Sequence, residues 1–343
     1  MKELLEKFSD SFAKMKDIKR EMAKVIIGQQ EAIDHILICL FAGGHLLLES
    51  APGLGKSLMA DTLSKILRVD FKRIQLTPDM TPQDVTGYEM PVWGTQEFAT
   101  RKGPIFCGLN LSDEFNRASE KTQAAYMEPM QERKVSIGLE TYELDKIFTL
   151  IGTRNPIETG GTFPVAEAIL DRFTINAILH YPSLSEERKI AAGSENLSLA
   201  DLRPVCGPED ILAIRDYLMS GKFIENDHPI VDYICRLIQA SRPEQSQLFL
   251  TKSDDDCYKS WVKLSLASPR TAKAFVRAVW VYSFGILGQN LILPEHVKAL
   301  AKSILRHRLF PQEGSQFDKN NDNVGPDEII NWLLERIPIY RSD

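Results

Sequence analysis

The chain has 343 residues, 43% hydrophobic and 26% charged, with a formal net charge of -6 and a pI near 5.7. That composition suits a water-soluble globular protein of about two domains and excludes disordered and collagenous classes; no run approaches the roughly 18 uninterrupted apolar residues of a membrane span. The acidic balance opposes broad attraction to nucleic acid or anionic lipid, and the five cysteines are scattered without C-x-x-C or close Cys/His spacing, which excludes a disulfide framework and structural zinc.

In chain order, residues 1–43 set apolar positions at helical spacing (Leu4, Leu5, Phe8, Phe12, Met15, then Met22, Val25, Ile26) and break at Ile27-Gly28-Gln29. This predicts two or three helices. Residues 1–20 contain no signal-peptide core, so a cytoplasmic location is expected. Short apolar runs follow at 45–49, 71–76, 109–113, 147–153 and 173–179, separated by helical or loop segments. Strands alternating with helices imply crossover connections, a largely parallel sheet, and ligands at the carboxyl ends of the strands. Residues 86–101 and 134–145 interrupt the alternation as candidate β-hairpins. Beyond Tyr181-Pro182 the strand signals stop, and the pattern through Arg308 is helical with proline breaks. Residues 311–327 are polar and precede a last short helix at 327–337. The expected organisation is an α/β domain with its N-terminal helices at 1–182, a smaller all-helical domain at 183–310, and a polar tail with a short helix at 311–343.

The stretch at 49–57, Glu-Ser-Ala-Pro-Gly-Leu-Gly-Lys-Ser, lies where an apolar strand ends and a helix begins. Unpaired N–H groups at a helix N-terminus, together with the helix dipole, suit polyphosphate, so Pro52, Gly53, Leu54, Gly55, Lys56, Ser57 and Leu58 read as a phosphate-binding loop for ATP. Lys56 would reach the β- and γ-phosphates, and Ser57 would ligate Mg²⁺. The pattern G-x-x-x-x-G-K-[ST] calls for glycine where this chain has Ser50. The run at 109–114 ends in the carboxylates Asp113 and Glu114. On a strand end of such a sheet, Asp113 would hold Mg²⁺ and Glu114 would orient and deprotonate the attacking water. Asn155, ending the next strand, could touch the γ-phosphate or that water, or could simply open a turn before Pro156. Arg172 and Arg270 stand next to structural breaks. Phosphoryl transfer needs cations near the γ-phosphate, often from a neighbouring subunit, although a single arginine is more commonly a solvated surface residue.

Taken together, the phosphate loop, Ser112-Asp113-Glu114-Phe115-Asn116-Arg117, Gln131-Glu132-Arg133, Asn155-Pro156-Ile157-Glu158, residues 167–173, Ser268-Pro269-Arg270 and residues 305–309 resemble the MoxR family of AAA+ ATPases over about residues 20–310. The resemblance implies an α/β AAA+ P-loop domain with a five-stranded parallel sheet, inserted hairpins and a helical lid. It also implies that residues 25–29, including Ile26, Ile27 and Gly28, line the adenine pocket. Asn155 would then be sensor 1, Arg270 sensor 2, and Arg172 an arginine finger acting on the adjacent subunit. Both hairpins would face the pore or client side of a homo-oligomeric, hexameric ring. Client proteins and a von Willebrand factor A domain partner belong to the same implication, as does chaperone-like remodelling driven by ATP hydrolysis. Departures from the family are Ser50, Asn110, Ser112, Arg154, and Pro129 inside an expected helix at 120–132, where a proline costs about 3 kcal/mol. The competing readings are a nucleic-acid motor and a weakly active nucleotide-dependent assembly platform.

Overall fold

The computed structural model describes residues 2–95, 97–156, 160–193, 199–221, 228–312 and 325–339. Ile157, Glu158 and most of the polar segment 311–327 lie outside them. The five expected strands form one sheet: β1 (Leu46–Glu49), β2 (Phe71–Gln75), β3 (Leu109–Asp113), β4 (Thr149–Arg154) and β5 (Ile175–Ile178), in spatial order β2-β3-β4-β1-β5. Every pairing is parallel, with Leu46 opposite both Ile151 and Ile175 and Leu109 opposite Phe71 and Thr149. The chain leaves β1 for the far edge and works back, so β1 lies at the point where the strand order reverses. In open α/β sheets, the carboxyl end of such a strand is where ligands bind.

Alternation along β1 explains why its whole run is apolar. Leu46 and Leu48 enter one core with helices α1 (Lys2–Met22), α2 (Gln30–Ala42) and α3 (Lys56–Leu67), whereas Leu47 enters a second core with Phe115, Phe148 and Phe173. A strand covered on both faces has no polar side to show. The helix α1 also reaches the C-terminal helices: Phe12 packs on Trp280 with ring centroids 5.3 Å apart, and Phe8 on Tyr217 at 5.1 Å.

Both predicted hairpins form, as antiparallel pairs Gly87–Pro91 with Phe98–Lys102 and Lys134–Ile137 with Glu140–Glu143. Two expectations need correction. The single helix at 120–132 is two short ones, Glu120–Ala124 and Met127–Glu132, with Tyr126 capping the second. Pro129 is therefore the third residue of a helix, where its missing N–H has no partner to lose. The C-terminal region is also not all helical: Val262–Ser265 pairs antiparallel with Leu309–Pro311. In addition, helix Pro269–Trp280 continues into a π-helical turn at Val281–Ile286.

Candidate active site

Strand β1 delivers the phosphate loop to the carboxyl edge of the sheet. Gly53 (φ 81°) and Gly55 (φ 80°) both take left-handed backbone, and a Cβ on either would meet nothing within 4 Å. The glycines are thus required by conformation, and the space above them is open for a ligand. Helix α3 starts at Lys56 directly after Gly55, with no side chain capping its first N–H groups. Donors without a side-chain cap at a helix N-terminus are of the kind that suits an anion.

Three positively charged or hydroxyl-bearing side chains converge on Asp113. Thr153 Oγ1 donates to Oδ1 at 2.5 Å, Arg73 Nη2 lies 2.6 Å from Oδ2, and Lys56 Nζ lies 3.9 Å from Oδ1. Burial pushes the carboxyl toward its neutral form, but the Thr153 hydroxyl, the Arg73 guanidinium and the Lys56 charge outweigh it and hold Asp113 below the ordinary carboxylate range. Asp113 is accordingly an anion among cations. The same Thr153 hydroxyl accepts from the backbone N–H of Glu114 at 3.0 Å, so one side chain on β4 fixes both acidic residues. Glu114 has φ 56° and its carboxylate lies 3.2 Å from Arg117. Left-handed backbone at a non-glycine residue stores strain of order 1 kcal/mol, a cost that clusters at functional positions. Asn155 is buried at the end of β4, one residue beyond Arg154.

The polar departures in β3 and β4 have partners. Ser112 Oγ lies 2.7 Å from Asn110 Oδ1 and 2.8 Å from the Tyr126 hydroxyl; with one proton per hydroxyl, the chain runs from Tyr126 through Ser112 to Asn110. Asn110 in turn donates toward Pro104 O at 3.4 Å. Arg154 pairs with Glu49, which also accepts from Asn176 Nδ2.

In the expected adenine segment, Val25 and Ile26 are buried and Ile27 half-buried. Gly28 faces the Glu186 carboxylate, and Gln29 Nε2 donates to His180 O at 2.7 Å. The segment therefore packs against the start of the helical region at Leu184–Ala191.

The two arginines are elsewhere. Arg172 precedes β5, and Arg270 opens helix Pro269–Trp280; both line a cavity of about 190 Å³ with Gly44, His45 and Thr174. Those last three residues precede β1 and β5, so the cavity lies at the amino edge of the sheet and the phosphate loop at the carboxyl edge. The structure thus assembles Lys56, Asp113, Glu114 and Thr153 at one end and gathers Arg172 and Arg270 at the other. Sequence reading missed Thr153 and Arg73, and it quoted Gln131 within a motif without seeing that its Oε1 accepts from both Arg172 and Arg270. A hydroxyl residue at the end of the strand beside β3 was the available clue to Thr153.

A phosphate loop on the reversal strand, paired carboxylates on β3, a β2-β3-β4-β1-β5 sheet and following helices define a P-loop ATPase of the AAA+ class. Residues 45–175 match the family model for the ATPase family associated with various cellular activities (AAA). The chain is 34% identical over 320 residues to the chaperone MoxR1 of Mycobacterium tuberculosis, covering 93% of this chain and 80% of that protein. It is 33% identical over 324 residues to the uncharacterized protein YeaC of Bacillus subtilis, covering 93% of each. A crystal structure from Cytophaga hutchinsonii superposes with a TM-score of 0.83 at 31% identity, covering 99% of both chains. The chain belongs to the MoxR family of AAA+ ATPases.

Proposed function

We propose that this chain is a Mg²⁺-dependent ATPase that works as a ring, in which the site of one copy is completed by the arginines of the next, and that it spends the hydrolysis on remodelling client proteins. The observation that carries the reading is the placement of the two half-sites at opposite ends of the same strands. One strand of four residues separates the edges by roughly 10 Å. Arg172 and Arg270 are, moreover, hydrogen-bonded at their own edge, to Gln131. That separation supports a role on a neighbour's phosphates rather than on their own.

The open space at Gly53 and Gly55 and the uncapped start of α3 directly after them support a triphosphate on this loop. The Ser57 hydroxyl and the Asp113 carboxylate are hard oxygen donors of the kind Mg²⁺ takes, and would hold it. When bound, the ion supplies charge neutralisation on the phosphate oxygens. Lys56 binds the β- and γ-phosphates, Glu114 takes the proton of the attacking water, and Asn155 orients that water or the γ-phosphate. Arg172 and Arg270 of the adjoining copy offset the charge that develops on transfer. Residues 25–29 fit the adenine face, next to the start of the helical lid, and the domain limits of 182 and 310 belong to this same reading.

Apolar hairpin tips favour a protein client: Trp93 is 99% exposed, Phe98 67% and Leu139 101%. The basic residues of the first hairpin are already engaged, Lys102 over the rings of Phe106 and Tyr142 and Arg101 beside the Tyr88 hydroxyl at 3.4 Å, which weighs against a nucleic-acid grip. The hexamer, the cytoplasmic location and a von Willebrand factor A domain partner rest on family resemblance; no helix among the described residues is long and apolar enough to cross a membrane. In the Glu114→Gln variant, ATP binding should persist while turnover drops at least a hundredfold, measured by nucleotide titration and phosphate release. Hydrolysis at the wild-type rate would remove Glu114 from its role.

A further inference from the structure

Arg172 and Arg270 arrive from different parts of the chain, yet their guanidinium groups donate to one atom. Gln131 Oε1 accepts from Arg172 Nη2 at 2.9 Å and from Arg270 Nη2 at 3.2 Å. Two cations held to a common point repel each other, and burial together with the Arg270 charge lowers the proton affinity of Arg172. Little nearby neutralises the pair. Arg172 Nη1 rests on the Ala168 carbonyl, Arg270 Nη1 lies 3.5 Å from Asp171, and among the described residues Asp171 is the one carboxylate lining a cavity that also holds Arg133, Lys273 and Arg277.

The acceptor's chemistry matters. A carboxylate at position 131 would cancel the charge a phosphate needs, whereas an amide oxygen orients both donors and leaves that charge in place. Hydrogen bonds from a guanidinium to a neutral oxygen are also weaker than those to an anionic one, so an arriving phosphate can displace the amide. Gln131 itself is fixed from below: Arg133, two residues on, turns through φ 54°, and its carbonyl accepts from Leu144 N–H at 2.8 Å across the root of the second hairpin.

We propose that Gln131 is a positioning residue that holds Arg172 and Arg270 together as one phosphate clamp for the neighbouring copy's nucleotide. The proposal rests on the reading that these arginines act between copies. Gln131 is exposed, so replacing it should leave the fold intact.

The test uses the full chain and two variants of opposite chemistry, Gln131→Met, which keeps length but removes the acceptor, and Gln131→Glu, which cancels charge. Each should lower kcat about tenfold with KM for ATP unchanged, because cis binding is untouched. Each should then regain turnover when mixed with Glu114→Gln, since some interfaces pair the intact phosphate loop of one variant with the intact arginines of the other. A parallel mixture of Arg172→Ala with Glu114→Gln checks the underlying reading by the same logic. Failure of that control mixture to recover would overturn the trans reading and this proposal with it. Recovery in the control beside wild-type kcat in both Gln131 variants would overturn the proposal alone, as would slowed Gln131 variants that no mixture rescues.

Discussion

Ser50 shows how far a motif departure can mislead at the residue scale. The family pattern has glycine there, which suggests a strained turn, yet Ser50 is absent from the positions with positive φ. It is buried, its N–H donates to Arg154 O at 3.2 Å, and its hydroxyl donates to Ala51 O at 3.0 Å. Glycine's freedom is not used, so Ser50→Gly should keep nucleotide affinity within about twofold while lowering stability by roughly 0.5–1 kcal/mol through added unfolded-state entropy. Titration with a fluorescent ATP analogue and a thermal melt check both; a severe loss of binding would mean that the Ser50 side chain shapes the loop. Lys56, Ser57, Asp113 and Glu114 could be picked out as candidates because each follows an apolar run at a fixed offset. Thr153 and Arg73 were not, since their partnership with Asp113 depends on which strands are neighbours, and chain order does not state that.

At the scale of elements, the five strands and both hairpins were readable from period and turn residues. The errors fell where tertiary packing overrides local pattern. Val262–Ser265 is four residues long and its partner lies at Leu309–Pro311, so neither segment announces a strand by itself. In the segment at 120–132, helical residues run on either side of Ala125 and Tyr126, but buried Tyr126 turns inward to Ser112 and Phe115 and divides it. The break moves Pro129 from a helix interior to a first turn. Pro129→Ala should therefore change unfolding free energy by less than about 1 kcal/mol rather than the roughly 3 kcal/mol of an interior proline. Chemical denaturation measures it, and a gain near 3 kcal/mol would restore the continuous-helix description.

Across the described residues, four buried histidines, His35, His45, His296 and His307, have proton affinities lowered by burial and make stability depend on pH. Burial drives His35 down to about 4 and His45 to about 3, and holds His307 well below its ordinary value. His45 is fixed as a neutral tautomer: Nδ1 accepts from Leu150 N–H at 3.0 Å and Nε2–H donates to Met130 O at 2.9 Å. Below a pH of about 6.5 the unfolded chain takes up protons that the folded chain refuses. The stabilisation is thus complete above about 6.5 and is lost as pH falls toward 4, by at most about 1.4 kcal/mol per unit for each histidine. Melting temperature followed from pH 7.5 to 4.5 should fall, and His35→Leu should flatten part of that slope; an unchanged slope would remove His35 from the account. None of this was visible in the sequence, where a histidine beside an apolar run carries no depth.

One carboxylate ties the two halves of the chain. Asp171 accepts from Ser268 Oγ at 2.9 Å and Thr271 Oγ1 at 3.0 Å, and pairs with Arg270 and with fully buried Arg308, whose pKa burial lowers to about 10 despite that partner. Asp171 and Arg172 share a peptide bond. A shift of helix Pro269–Trp280 against the sheet therefore reaches Arg172 through one carboxylate and one peptide unit. In mechanical terms the joint is short: one carboxylate grips the start of helix Pro269–Trp280, and the very next residue carries the Arg172 cation, so the position of that helix and the position of that charge are coupled.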